Sequence, residues 1–135
     1  MKKFSKIQRG FYWLSRKIYE YLCGVKLGVY IQNFDHVHIG NNVRIAPNVV
    51  IVARNHNKYD ISKYDEWEDV YIDDDCWIGA NAVILPSVHL GKNTIVGAGS
   101  VVTKSFPEGF CVIAGNPAKI IKKLQHNNKN EVVEL

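Results

Sequence analysis

Apolar residues recur at every sixth position along most of this chain. Two series follow this period, Ile39–Ile45–Ile51 and Ile72–Ile78–Ile84–Leu90–Val96–Val102. In an α-helix a step of six residues turns a side chain by a net angle of about 240°, so no helical face collects these residues. A short strand followed by a bend can instead stack them in register. The period predicts a parallel β-helix with three strands in each turn of the prism.

Two further positions of the six-residue unit repeat as well. The third residue after the aliphatic one is often of a type that tolerates a positive φ, so it predicts a corner. These residues are Asn42, Asn48, Asp75, Asn81, Asn93 and Gly99. The fourth is small or β-branched and suits a second inward slot, as in Val43, Val49, Cys76, Ala82, Val88, Thr94 and Ser100. Each unit therefore predicts one strand and one corner.

The repeat divides the single predicted domain into segments. Residues 27–115 are predicted to form the β-helix, with a polar and acidic loop, 55–69, inserted into its rhythm and a last strand at Val112–Ile113. Inserted loops in repeat proteins often hold the functional residues. Residues 1–26 show helical spacing of apolar positions, which predicts a helix. We expect this helix to cap the prism or pack on a neighbouring subunit; the alternative is membrane-surface contact through its basic residues.

The chain after the repeats is predicted to end in a second, short helix. Asn116 and Pro117 read as an N-cap followed by proline at the first helical position, so residues 116–125 are predicted to be helical. Residues 126–135 are predicted to be a frayed tail.

These repeats resemble those of the hexapeptide-repeat acyltransferases. The similarity is greatest to the maltose, galactoside and nodulation-factor O-acetyltransferases and to their relatives in surface-polysaccharide synthesis, and it covers at least residues 37–123. The resemblance implies an all-β, left-handed parallel β-helix. It also implies acetyl-CoA as co-substrate, with no permanently bound cofactor, and a homotrimer with active sites between subunits. A prism of 135 residues exposes much surface, which also favours oligomerisation.

Composition excludes several other classes. The net charge of +4 is mild, with basic ends and an acidic middle, and no nucleic-acid-binding module is recognisable. The three cysteines, Cys23, Cys76 and Cys111, have no metal-ligand spacing and are odd in number, which predicts a reduced, cytoplasmic protein. No apolar run is long enough to span a bilayer. No metal site is predicted.

His56 is the predicted catalytic residue. It follows Ala46–Pro47 at the point where the loop leaves the coil, which is where the resembling acetyltransferases have their catalytic histidine. A neutral imidazole can take the proton of a sugar hydroxyl as that hydroxyl attacks a thioester. Asn55 is expected to orient the ring or bind the acceptor, and Trp67 to offer an apolar platform for a sugar. The alternative is that His56 is a polar loop residue without a role.

The donor site is expected along the later coils. The resemblance implies that Ala80 and Ala98 contact the pantetheine arm, that Thr103 and Lys104 meet the far part of coenzyme A, and that Lys119 and Lys122 meet its phosphates. The alternative is that the small residues only satisfy repeat packing. The predicted function is acetyl transfer from acetyl-CoA to a saccharide hydroxyl, in cell-surface polysaccharide synthesis. Alternatives are an inactive scaffold or binding module, another acyl donor, or an amine acceptor.

Overall fold

The chain folds into short strands that wind around a three-sided prism. The structure is a computed structural model and describes residues 28–125. Within that range its strands are β1 Tyr30–Ile31, β2 Val37–Ile39, β3 Arg44–Ile45, β4 Val50–Ile51, β5 Val70–Ile72, β6 Trp77–Ile78, β7 Val83–Ile84, β8 His89–Leu90, β9 Thr94–Val96, β10 Val101–Val102, β11 Cys111–Gly115 and β12 Ala118–Lys123. One 3-10 turn, Phe34–His36, precedes β2.

From β1 to β10, successive strands belong to different sheets, which form the three faces of the prism. Face 1 contains β2, β5 and β8; face 2 contains β3, β6, β9, β11 and β12; face 3 contains β1, β4, β7 and β10. The chain visits faces 1, 2 and 3 in turn, and strands from successive coils pair in parallel, as Ile72 does with Leu90. The predicted parallel β-helix is confirmed, and its left hand stays a prediction.

The repeated aliphatic residues fill the prism. Eight of the nine in the two series are at most 1% exposed, and only Ile39, in the first of the two series, is half-buried. The second inward slot is also buried in every unit where it was predicted, including polar Thr94 and Ser100. Burying each Ile or Val side chain contributes roughly 1.5–3 kcal/mol. The inner stack therefore supplies much of the stability of the fold.

The predicted corners are confirmed by the backbone. Each of the six predicted corner residues has a φ between 55° and 69°. Ser87 has a φ of 61° at the equivalent place, although serine does not identify a corner in the sequence. Short polar side chains tolerate this conformation because they can hydrogen-bond locally. The corners thus repeat geometrically even where the residue type changes.

The predicted helix over residues 116–125 is wrong. Ala118–Lys123 form β12, which pairs antiparallel with β11 and so covers an edge of face 2 that would otherwise leave its backbone groups unpaired. The chain reverses at Gly115, whose φ is +104°, and the Asn116–Pro117 peptide bond is cis. β-Branched Ile120 and Ile121 also favour a strand over a helix. The predicted N-terminal helix, residues 1–26, and the tail, 126–135, lie outside the described residues.

The three faces differ in what they turn outward. The outward residues of face 3 include Val50, Val83 and Val101, those of face 2 include Arg44, Trp77 and Ile95, and those of face 1 are His38, Tyr71 and His89. Face 3 therefore has an aliphatic outer surface over three successive coils, whereas face 1 is polar and aromatic. Across residues 28–125, no helix has the length and apolar character needed to cross a membrane.

Candidate functional site

The inserted loop projects from the edge between faces 3 and 1, between β4 and β5. Its base is tied to the first coil, because the side-chain oxygen of Gln32 accepts hydrogen bonds from the amides of Ala53, at 3.0 Å, and Arg54, at 2.9 Å. The two limbs of the loop also pair, since the Glu68 amide donates to the Ala53 carbonyl at 2.8 Å. Ala53 is fully buried. The polar loop is therefore an ordered, hairpin-like projection.

Side chains of the loop tip build its turn. The side-chain oxygen of Asn57 accepts hydrogen bonds from the amides of Tyr59 and Asp60, at 2.9 and 3.1 Å. Asp60 in turn accepts from the hydroxyl of Ser62 and pairs with Lys63 at 3.0 Å. These hydrogen bonds, led by that of Ser62, lower the pKa of the Asp60 carboxyl. Asn and Asp commonly stabilise turns in this way, which explains the polar composition of the loop.

His56 lies on the first limb of the loop and is exposed to solvent. Its Nδ1 lies 2.8 Å from the carbonyl oxygen of Ile61. A carbonyl only accepts, so Nδ1 carries the proton and the neutral ring has its lone pair on Nε2. The ring contacts that of Tyr64, with centroids 4.1 Å apart and planes tilted by 31°. The predicted base is thus held in one tautomer with a basic nitrogen left for a substrate.

The other two predicted acceptor residues differ in exposure. Asn55 is exposed, and its backbone carbonyl accepts from the Asp65 amide at 3.0 Å, so its role beside His56 stays a prediction. Trp67 is half-buried and packs against the core. The ring of His36 is stacked on it at 4.6 Å with planes 4° apart. Much of the Trp67 ring is therefore already covered, and its role as a sugar platform stays a prediction.

Arg54 joins the aromatic residues of the loop, which the sequence did not indicate. Its guanidinium carbon lies 4.8 Å from the ring centre of Tyr64 and 4.9 Å from that of Trp67. Its Nε donates to the carbonyl oxygen of Asp65 at 2.6 Å. In the sequence, the only hint of this cluster is that arginine, histidine and aromatic residues alternate in the loop. The pairing of the two limbs is what shows which of these residues are in contact.

Two histidines of the first coil hold the second limb of the loop through Asp69. His36 Nδ1 donates to one oxygen of Asp69 at 2.6 Å, and His38 Nε2 donates to the other at 2.9 Å. The hydrogen bond from His36, followed by that from His38, lowers the pKa of the Asp69 carboxyl. The sequence did not single out these two histidines. Their spacing of two residues was the one sequence feature that could have indicated a shared partner.

Ala80 and Ala98 lie together at the edge between faces 2 and 3. The amide of Gly99 donates to the carbonyl of Ala80 at 2.8 Å, so the two corners stack directly. The backbones approach closely here, because a Cβ added at Gly79 would lie 2.6 Å from the amide nitrogen of Ala98. Ala98 and Gly99 are exposed. This edge is therefore lined by small side chains and exposed backbone.

The remaining predicted donor residues occupy two places. Lys119 and Lys122 are exposed on β12, where they pair with Ala114 and Val112 of β11 and extend face 2. Thr103 and Lys104 follow β10 and lie at the same edge as the loop, with the Lys104 ammonium 5.7 Å from the ring centre of Phe106. Within one chain the alanines and His56 therefore lie at different edges, both of which border face 3.

The chain resembles known acetyltransferases in sequence. The family described as bacterial transferase hexapeptide (six repeats) matches residues 69–104. Galactoside O-acetyltransferase of Escherichia coli is 38% identical over 97 residues, which cover 70% of this chain and 47% of that protein. A 2,3,4,5-tetrahydropyridine-2,6-dicarboxylate N-acetyltransferase of Staphylococcus aureus is 52% identical over 96 residues, which cover 70% of this chain and 37% of that protein. The chain thus spans about half the length of the curated relatives it matches.

A solved structure supports the same likeness. The maltose O-acetyltransferase from Clostridium difficile matches with a TM-score of 0.62 at 28% identity, over 93% of this chain and 79% of that one. The likeness covers most of this chain, beyond the residues that the family match includes.

Proposed function

Because this chain belongs to the hexapeptide-repeat acyltransferase family, we propose that it transfers an acetyl group from acetyl-CoA to a saccharide hydroxyl. The observation that supports this best is the fixed tautomer of His56, whose Nδ1–H is engaged by the Ile61 carbonyl. All three relatives are named acetyltransferases, which supports acetyl as the transferred group, and two of the three names include a sugar acceptor. The resemblance to enzymes of surface-polysaccharide synthesis supports a role there. Free Cys76 and Cys111 fit a reducing, cytoplasmic compartment.

The proposed reaction is a direct transfer. Nε2 of His56 accepts the proton of the acceptor hydroxyl as its oxygen attacks the thioester carbonyl and forms the new C–O bond. The C–S bond then breaks, and the imidazolium returns the proton to the departing thiolate to give free coenzyme A. General-base assistance accounts for roughly 10²–10⁴-fold of the rate. Positioning of the two substrates supplies much of the remainder.

Acetyl-CoA is proposed to lie along the edge between faces 2 and 3. Ala80 and Ala98 leave room for a narrow pantetheine arm beside exposed backbone. Lys119 lies next to this edge through its pairing with Ala114. Lys122 adds positive charge for phosphates, and Lys104, which lies at the loop edge, would reach them from the neighbouring subunit. Both are point charges without the forked geometry of arginine. Thr103 completes the set that the family resemblance implies.

A homotrimer is proposed to bring the two edges together. Outward Val50, Val83 and Val101 make face 3 suitable for packing around a threefold axis, and closed cyclic assemblies are common among oligomers. With face 3 turned inward, the loop edge of one subunit meets the alanine edge of the next. Val83→Asp is expected to dissociate the trimer without unfolding the chain, as measured by sedimentation. Tyr71→Ser, on face 1, is the control and should leave the assembly intact.

An amine acceptor is the second candidate. It is favoured by the N-acetyltransferase of S. aureus, whose identity to this chain is 52% over the matched region. The same base and donor edge would serve, because a neutral amine attacks a thioester in the same way. Comparing O- and N-acetylated products by mass spectrometry separates the two.

Calorimetric titration of acetyl-CoA tests the donor site without knowledge of the acceptor. We expect saturable binding with about one site per chain, weakened by Lys104→Ala and by Lys119→Ala. Asn41→Ala, at the edge between faces 1 and 2, is the control. Failure to bind at millimolar acetyl-CoA would contradict the transferase and favour a scaffold or binding module.

A further inference from the structure

We infer that Arg54 forms a binding site for an anionic group on the acceptor, so that the preferred acceptor is an acidic saccharide. This inference rests on the proposed function and deepens it, because it names the class of sugar. Arg54 stands two residues before His56 on the first limb of the loop. Tyr64 contacts both side chains, at 4.8 Å from the guanidinium carbon and 4.1 Å from the imidazole centre. The cation therefore lies less than 9 Å from the proposed base, within reach of one sugar unit.

The guanidinium group is held before any ligand arrives. It contacts the rings of Tyr64 and Trp67, and its Nε is bound to the Asp65 carbonyl. Trp67 is itself stacked on His36 and packed against the core. An arginine fixed by aromatic stacking loses little side-chain freedom on binding, so less affinity is lost to ordering.

The terminal nitrogens of Arg54 have no partner in the part of the chain that the structure describes. Within residues 28–125, neither of its two Nη atoms has a hydrogen bond or an ion pair, and Arg54 as a whole is only half-buried. Two parallel N–H donors on one guanidinium match the two oxygens of a carboxylate, or two oxygens of a phosphate. A fixed, unpaired fork beside the proposed base is better suited to an anionic sugar than to a neutral one.

The acidic residues of the loop do not occupy this fork. Asp60 pairs with Lys63, Asp65 accepts from Asn57 at 2.8 Å, and Asp69 is held by His36 and His38. Exposed Glu66 and Glu68 form no ion pair with Arg54. Most carboxylates that could have neutralised Arg54 are thus already bound elsewhere.

Binding of small sugars tests the inference independently of turnover. We would measure the affinities of D-glucuronate, D-glucose 1-phosphate and D-glucose by ligand-observed NMR at low salt. The expected result is at least about tenfold tighter binding of one or both anionic sugars than of glucose, as for other charged hydrogen bonds. A preference for glucuronate over the phosphate would identify a carboxylate as the ligand, and the reverse a phosphate.

Variants at Arg54 assign the preference to this side chain. Arg54→Gln should bind the three sugars about equally, and Arg54→Lys should regain only part of the preference because it lacks the fork. Lys58→Gln is the matched control, since Lys58 lies two residues after His56 and contacts a ring, that of Tyr59, at 4.9 Å. Thermal unfolding checks that each variant folds.

The inference would be overturned by equal binding of the three sugars by the unaltered protein, by no detectable binding of either anionic sugar, or by a preference that survives in Arg54→Gln. An equal loss in Lys58→Gln would also overturn it, because general loop charge would then be the cause. The transferase proposal fails separately, through absence of acetyl-CoA binding. The two failures are therefore distinguishable.

Discussion

His36 Nδ1 lies 2.6 Å from a carboxylate oxygen of Asp69, and this contact joins the first coil to the end of the inserted loop. Asp69 is also bound by His38, while the His36 ring stacks on Trp67. Trp67 contacts Arg54, and both Arg54 and His56 contact the ring of Tyr64. The position of the proposed base therefore depends on residues of the first coil.

Asp69→Asn is expected to lower the free energy of unfolding at neutral pH. The pKa of Asp69 is lowered in the folded state by the hydrogen bonds of His36 and His38. Its ionised form therefore stabilises the fold above the unfolded pKa, about 3.9, and this contribution is lost as pH falls through the lowered folded value. Urea unfolding of both proteins between pH 3 and 7 should show a difference that shrinks below about pH 4.

Glu66→Gln is the control for this experiment, because Glu66 is an exposed carboxylate of the same loop without a hydrogen bond or ion pair among residues 28–125. It should change the unfolding free energy little at any pH. A constant difference between Asp69→Asn and the unaltered protein across the whole range would show that ionisation of Asp69 is not the cause.

His56→Asn is expected to reduce acetyl transfer by roughly 10²–10⁴-fold, which is the usual contribution of a general base. The Asn amide can still donate to the Ile61 carbonyl, so the loop should keep its conformation. Acetyl-CoA affinity should stay nearly unchanged. Steady-state turnover and calorimetry together separate loss of the base from loss of the site.

His89→Gln serves as the histidine control, because His89 lies on face 1 and pairs with Asp73. Near-normal turnover in His56→Asn would remove His56 from the mechanism. Equal losses in the two variants would indicate a general structural effect instead.

Cys76 is expected to react slowly with iodoacetamide in the folded protein. Burial is the main cause that raises the pKa of its thiol to about 11 from 9.0, so the reactive thiolate is roughly a hundredfold rarer at neutral pH. The side chain is also 1% exposed. Labelling of a Cys23→Ala variant, followed by peptide mass spectrometry, measures the rate at Cys76 directly.

Unfolding in urea should speed this labelling strongly, and Cys111, whose thiol pKa is also raised mainly by burial, should behave similarly. Rapid modification of Cys76 under native conditions would contradict its place in the second inward slot.

Ile84→Asp is expected to prevent folding. Ile84 is fully buried in the inner stack, and an unpaired carboxylate there would cost several kcal/mol, about as much as the whole stability of a marginal domain. Circular dichroism and sedimentation measure the outcome. Val83→Asp, one residue earlier on the outer side of the same strand, should still fold. A stable Ile84→Asp protein would refute the register of the repeat.

The six-residue pattern was sufficient to predict the prism because each unit uses only local information. One aliphatic residue, one corner residue and one small residue recur, and stacking identical units buries them without long-range choices. The interruption of the pattern also located the inserted loop. The resemblance to the hexapeptide-repeat acyltransferases then indicated His56 within it. The helix predicted over residues 116–125 failed because its apparent N-cap, Asn116–Pro117, occupies a turn, and an edge of β11 required a partner strand.

The amino-acid sequence by itself thus determined the architecture and the inward residues, since these follow from a period that any short window displays. The choice of His56 needed the family resemblance as well. Only the tertiary structure decided the tautomer of His56, the stacking of Arg54 and the pairing of Asp69 with two histidines. Those contacts join residues from both limbs of the loop and from the first coil. Residues 33 positions apart, such as His36 and Asp69, meet only after the coils stack, and no local pattern records that meeting.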